Sequence, residues 1–184
     1  MKKLILAIAV IFVSSLACVA QAPCKALFAP AGGAFTLCPP DSLHSVKPPE
    51  VAGAPFAVLV TDTDPVKNSL AFIIIQVKTP ESLRESVYGL IEGAFAENRQ
   101  AVVKELANFK TTSGTEGIRL LYENTVLTGI HAGERSTKIY YVFPGPGVQV
   151  VFSAAMSAKD AAGVATSDAM IKTVVIKPGP PTPR

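Results

Sequence analysis

The stretch Ile139–Ser153 reads IYYVFPGPGVQVVFS. Two runs of β-branched and aromatic residues, Ile139–Phe143 and Val148–Ser153, flank Pro144-Gly145-Pro146-Gly147. Such residues fit the pleated, half-buried surface of a sheet. A short connection rich in Gly and Pro folds the two runs back on each other. The stretch is therefore predicted to be an antiparallel hairpin, and the pattern recurs on both sides of it. Phe56–Thr61 (FAVLVT) and Leu70–Val77 (LAFIIIQV) form a second pair, joined by DTDPVKN, whose Asp, Pro and Asn have turn chemistry. Leu70–Val77 is apolar enough to be a central strand covered on both faces. Leu106–Thr111 and Gly117–Glu123 (GIRLLYE) are further strands, with the polar turn TTSGTE ahead of the second. Val126–Ile130 is another strand candidate, and Val174–Ile176 is extended.

Two segments change period. In TPESLRESVYGLIEGAFAEN, Leu83, Val87, Leu90, Ile91 and Ala94 fall on one helical stripe, the spacing of a helix packed on a sheet. Thr79 is the expected cap and Pro80 the first-turn residue. Gly89 and Gly93 weaken this helix, and one of them is expected to lie under a close neighbour. A second helix is expected from Ser157, with Ser157 and Asp160 as a capping pair. Ala161, Val164 and Ile171 would face inward, and Gly163 would weaken the helix. At least six strands joined mainly by hairpins, with two helices, define an α+β domain: an antiparallel β-sheet flanked by helices.

The N-terminus sets the compartment. Lys2 and Lys3 precede the unbroken apolar run Leu4–Val13, followed by the small residues Ser14, Ser15, Ala17, Ala20 and Ala22. This is the layout of a secretory signal peptide. The run is short of the roughly 20 residues that span a bilayer. Cleavage after Ala20 leaves a single domain over residues 21–176 and a Pro-rich, disordered tail over 177–184. An alternative is lipid attachment at Cys18, in Ser15-Leu16-Ala17-Cys18, although Ser15 holds the place where such sites usually carry Leu. A lipid there would be the only membrane contact. Lys2 and Lys3 account for two of the 17 basic residues. Without them 15 basic residues face 14 acidic ones, a net charge near +1. No basic cluster remains to bind phosphates, so nucleic acid is excluded as a partner.

Cys24 and Cys38 then remain as an even pair in an exported chain, the usual setting of a disulfide. They bracket CKALFAPAGGAFTLC, with Gly32-Gly33 at its middle. Ala26–Ala29 and Ala34–Leu37 can run antiparallel about that turn, which reads as a stapled hairpin. A redox pair would show Cys-x-x-Cys. Zinc would need four ligands with short-range pairs, and beyond these thiols only His44 and His131 are available.

No reaction motif is present: there is no Gly-x-Ser-x-Gly elbow, Walker loop or dinucleotide fingerprint. Asp62 and Asp64 fail the calcium-loop pattern at Val66 and Lys67 and read as turn residues. No catalytic residue, metal ligand or cofactor site is assigned. His44 and His131 are the candidates for a scattered active site, and loop exposure is the simpler reading of both. Gly129–Lys138 (GIHAGERSTK) gathers His131, Glu134, Arg135 and Lys138 in a polar loop, the expected contact surface.

The order of elements resembles the PsbP-like fold, including bacterial envelope proteins related to the DcrB lipoprotein. The residues that carry the resemblance start with Phe35-Thr36-Leu37-Cys38-Pro39-Pro40, a short strand entering a proline turn. A hairpin follows, then the helix opened by Thr79-Pro80-Glu81-Ser82-Leu83. Paired strands run through Gly117-Ile118-Arg119 and Tyr140-Tyr141-Val142-Phe143, and a closing helix leads into Thr173-Val174-Val175-Ile176. The resemblance spans Phe35 to Ile176. It departs at Leu43, where members often carry an aromatic residue, and in the cysteine pair. It implies a non-enzymatic domain that binds or helps assemble other envelope proteins. A hydrolase and a carrier of small apolar ligands are the alternatives.

Overall fold

The structure is a computed structural model, described here for residues 24–48, 56–64, 67–78, 81–127, 132–145 and 147–178. The expected signal sequence with Cys18, the expected cap residues Thr79 and Pro80, His131, and residues 179–184 lie outside these ranges.

Among the described residues nine strands and two helices follow in the order β1 (Phe35–Thr36), β2 (His44–Val46), β3 (Ala57–Val60), β4 (Leu70–Val77), α1 (Leu83–Glu97), β5 (Val102–Lys110), β6 (Glu116–Thr125), β7 (Arg135–Gly145), β8 (Val148–Ser157), α2 (Ala161–Lys172) and β9 (Val175–Ile176). Seven strands form one antiparallel sheet in the order β2-β3-β4-β8-β7-β6-β5. The α+β reading is therefore correct. The β7–β8 hairpin is its spine, with Tyr141 opposite Phe152 and Phe143 opposite Val150. Its strands pair as far as Gly145 and Val148. The expected four-residue loop thus shrinks to two residues, and Gly147 supplies the positive φ of 67° that so tight a hairpin needs.

Side-chain alternation sends the strands' apolar residues to two separate cores. One face carries Phe72, Ile74, Ile139, Tyr141, Phe143, Val150, Phe152 and Met156, covered by Met170 and Ile171 of α2 and by Phe35 and Leu37 of the N-terminal segment. The other carries Leu120, Tyr122, Val142 and Val151, covered by Val87 and Ala94 of α1 with Leu83, Leu90 and Ile91 beside them. The helical stripe expected from the sequence is thus the packing face. β4 is central, but Ile73 is 40% exposed. It is covered fully on one face only, because α1 packs on β6 and β7.

Several local readings need correction. The N-cap of α1 is Ser82, whose hydroxyl accepts from the Glu85 N–H while the Glu85 carboxylate accepts from the Ser82 N–H. This Ser-x-x-Glu box outcompetes a cap three residues earlier. Gly89 and Gly93 have open space around them, so no neighbour demands them. α2 starts later than expected: Ser157 ends β8, and Asp160 alone caps the helix by accepting from the Gly163 N–H. Ala161 is exposed. Gly163 is buried, and a Cβ there would stand 2.9 Å from Met156 Sδ. The glycine therefore lets the helix approach β8. Val126 and Leu127 are not strand.

The stapled hairpin is shorter than expected. Cys24 and Cys38 are joined, with Cα atoms 5.6 Å apart. Only Phe28 and Leu37 pair across it, and Gly32 turns the chain with φ 72°. Phe35 and Thr36 instead pair with Ile176 and Val175 of β9. Lys177, read as tail, is held in place: its N–H donates to Ala34 O at 2.9 Å and its Nζ to Gly33 O at 2.8 Å.

Candidate functional site

The outermost strand of the long sheet is β5, which follows α1 after a short turn and runs back beside it. Between helix and strand lies a groove of about 300 Å³, lined by Arg84, Val87, Tyr88, Leu106, Ala107, Asn108 and Ile118. Tyr88 and Phe95 stand seven residues apart on α1, so they share the flank next to the buried stripe. Tyr88 is 45% exposed and Phe95 41%. On β5, Val103 lies opposite Tyr122 and Leu106 opposite Leu120, so both belong to the α1 face. Val103 and Leu106 are also exposed. Tyr88 and Leu106 line the groove, and Phe95 and Val103 add exposed apolar surface on the same helix and strand, the kind of surface that marks an interaction site.

Charge is distributed unevenly around it. Lys104 reaches Glu123, Glu105 reaches Arg119 and Lys110 reaches Glu116, at 3.5, 2.8 and 3.2 Å. Each charge of β5 is drawn back onto β6. Arg84 differs: its Nε and Nη2 donate to the Tyr88 hydroxyl, and its guanidinium lies 5.6 Å from the centre of that ring. Among the described residues no carboxylate approaches it.

Beneath the opposite face of β5 sits a polar anchor. Arg119 of β6, 6% exposed, donates through Nε and Nη2 to the two carboxylate oxygens of Asp168 on α2, at 2.8 and 3.2 Å. The Tyr141 hydroxyl donates to Asp168 Oδ1 at 2.6 Å. Arg119 Nη1 lies 2.8 Å from Glu105 Oε2, off hydrogen-bonding direction, so that contact is Coulombic. Burial alone would lower the Arg119 pKa, but Asp168 and its hydrogen bond hold it above the ordinary guanidinium value. Burial, reinforced by Asp168, drives the Tyr141 phenol far above its usual 10.0. The group is neutral in the folded protein while the unfolded chain ionises near pH 10. Stability from this site is therefore full below pH 10 and falls as pH rises above it. Tyr141→Phe should flatten that alkaline decline, measured as urea midpoints between pH 8 and 11.

The residues expected to form a contact loop are dispersed. Glu134 is in the turn before β7, whereas Arg135 and Lys138 are strand residues. Three positions apart on a strand, they point to opposite faces. Glu134 and Arg135 do line a polar cleft of about 500 Å³ with Glu123, Ser157, Ala158 and Lys159. Arg135 is engaged there with Glu123 at 2.6 Å. His44 is exposed on β2, at the sheet edge remote from β5. Among the described residues no group of three His, Cys, Asp or Glu is placed to hold a metal ion. The α1–β5 groove was missed because Tyr88 and Phe95 look like ordinary helix residues. Their offset of one position from Val87 and Ala94 was the available signal.

An antiparallel sheet with a helix on each face defines a small α+β domain with the PsbP-like fold. No family model matches this sequence, and no curated protein matches it significantly. Among solved structures it is similar to cyanobacterial PsbP (CyanoP) from Synechocystis, with TM-score 0.57 and 14% identity over 82% of this chain and 91% of that one. It is also similar to the Saccharomyces cerevisiae Ran-binding protein Mog1p, with TM-score 0.52 and 12% identity over 83% and 95%.

Proposed function

We propose that this protein is an exported, non-catalytic domain of the cell envelope that binds another envelope protein through the α1–β5 face. The observation that carries this reading is the groove lined by Tyr88 and Leu106, with Phe95 and Val103 exposed on the same helix and strand. The Cys24–Cys38 disulfide supports maturation in an oxidising compartment. Among the described residues no helix is long and apolar enough to cross a membrane. Mog1p, which shares the fold, is itself a protein-binding protein by name.

The test is photo-crosslinking in living cells. A photoreactive residue replaces Phe95 or Leu106 in one strain and His44, on the far sheet edge, in another. The first two should capture one defined envelope protein that the third does not. Equal labelling from all three positions would defeat the proposal. Intact-mass analysis of the exported protein locates the mature N-terminus and any lipid on Cys18.

A further inference from the structure

Resting on that reading, we infer that the partner enters as an extended segment added to the free edge of β5, with an apolar side chain in the groove and a carboxylate on Arg84. β5 ends the sheet, so half of its backbone N–H and C=O groups face away from β6. The register is irregular between Val103 and Glu105 and regular from Glu105 to Lys110. That leaves a six-residue edge on which a strand can pair. Sheet edges are usually guarded by outward charges, Lys above all. Here Lys104, Glu105 and Lys110 are all committed to Glu123, Arg119 and Glu116 of the neighbouring strand. The guard is thus folded inward.

What remains at the rim is apolar, with one cation. Leu106 and Asn108 present their side chains to the α1 side, and the groove between them and Tyr88 also holds Arg84. A strand laid against β5 would direct alternate side chains to that same side. One of them fills the space beside Leu106 and Tyr88. The next, two residues along, falls beside Asn108 and within reach of the guanidinium. Arg84 rests on the Tyr88 ring, a cation–π contact that leaves its outer N–H groups for an acceptor. A carboxylate there makes a charge-assisted bond at the border of an apolar groove, where such bonds are strongest. Pairing of β5 with a second copy is disfavoured by charge. The register centred on Glu105 sets two glutamates opposite each other, and the register centred on Ala107 sets Lys104 opposite Lys110.

The experiment pans the oxidised, exported protein against a library of random linear 12-residue peptides. Binders should carry apolar residues at alternate positions and an Asp or Glu two residues from one of them. Arg84→Gln should weaken them about tenfold or more. Leu106→Ala should weaken them comparably, and methylation of the peptide backbone nitrogens facing β5 should abolish binding. Helix-patterned binders, or binders indifferent to Arg84→Gln, overturn the strand-addition inference while leaving the docking face intact. Binders insensitive to Tyr88→Ala, Phe95→Ala and Leu106→Ala overturn both. Doubling of the solution mass that Leu106→Lys abolishes also overturns the inference, because the occupant is then a second copy.

Discussion

Replacing Asp168 by alanine is expected to lower the unfolding free energy by up to about 3 kcal/mol, the low end of the cost of breaking a buried ion pair, because Arg119 is buried but the Asp168 side chain is 31% exposed. Asp168 is the acceptor for three donors: Arg119 Nε, Arg119 Nη2 and the Tyr141 hydroxyl. Without it the guanidinium stays buried with only the off-axis Glu105 contact, and the phenol is left with no acceptor. Both groups were taken out of water on the condition that Asp168 met them. A domain of this size has about 5–15 kcal/mol in total, so the loss is a large fraction of its stability. Urea denaturation followed by circular dichroism measures the change. Asp168→Leu combined with Arg119→Met removes the charges together and should recover much of the loss. A single-variant loss below about 1 kcal/mol would mean that α2 is held by Met170 and Ile171 alone.

The second large effect concerns the disulfide. Joining Cys24 to Cys38 closes a loop with a sequence separation of 14. The chain-entropy model gives about 3 kcal/mol for such a loop. The segment it closes delivers Phe35 and Leu37, both 0% exposed, onto the α2-side core. Phe35 packs edge-on against Phe152 at 5.1 Å between ring centres. Cys24→Ala with Cys38→Ala should therefore shift the urea midpoint down while leaving the circular dichroism spectrum intact. The anchoring contacts survive: Cys38 N–H would still donate to Thr173 Oγ1 at 2.8 Å, as would any residue there, and β1 would still pair with β9. Reduction of the unmodified protein should give the same shift. An unchanged midpoint would show that the unfolded chain is already constrained in this region.

Much of the fold was legible because burial imposes a period. Leu83, Val87, Leu90, Ile91 and Ala94 repeat as a helix stripe because only that spacing brings them together on one side. The IYYVF and VQVVFS runs pair because β-branched and aromatic residues bracket a Gly-Pro turn. Caps were less legible. Thr79 and Ser82 are both cap residues, and only Glu85, three residues beyond Ser82, breaks the tie. Gly163 looked like a defect until the neighbouring Met156 gave it a reason. The contact surface was the least legible. A polar cluster in sequence, Glu134 to Lys138, is divided between two faces once it becomes a strand.

What the sequence by itself determined is what local chemistry enforces: the pairing of Cys24 with Cys38, hairpins, an amphipathic helix and the absence of a known reaction motif. What only the tertiary structure decided is which residues meet. Strand order placed β5 at the edge, beside a helix that is its neighbour in the chain. It joined Arg119, Tyr141 and Asp168 across separations of 27 to 49 positions. It also turned the charges of β5 toward β6 and left Arg84 facing solvent over an apolar groove. Periodicity records which side of an element is buried, but not which neighbour buries it, because any apolar surface satisfies the hydrophobic effect equally.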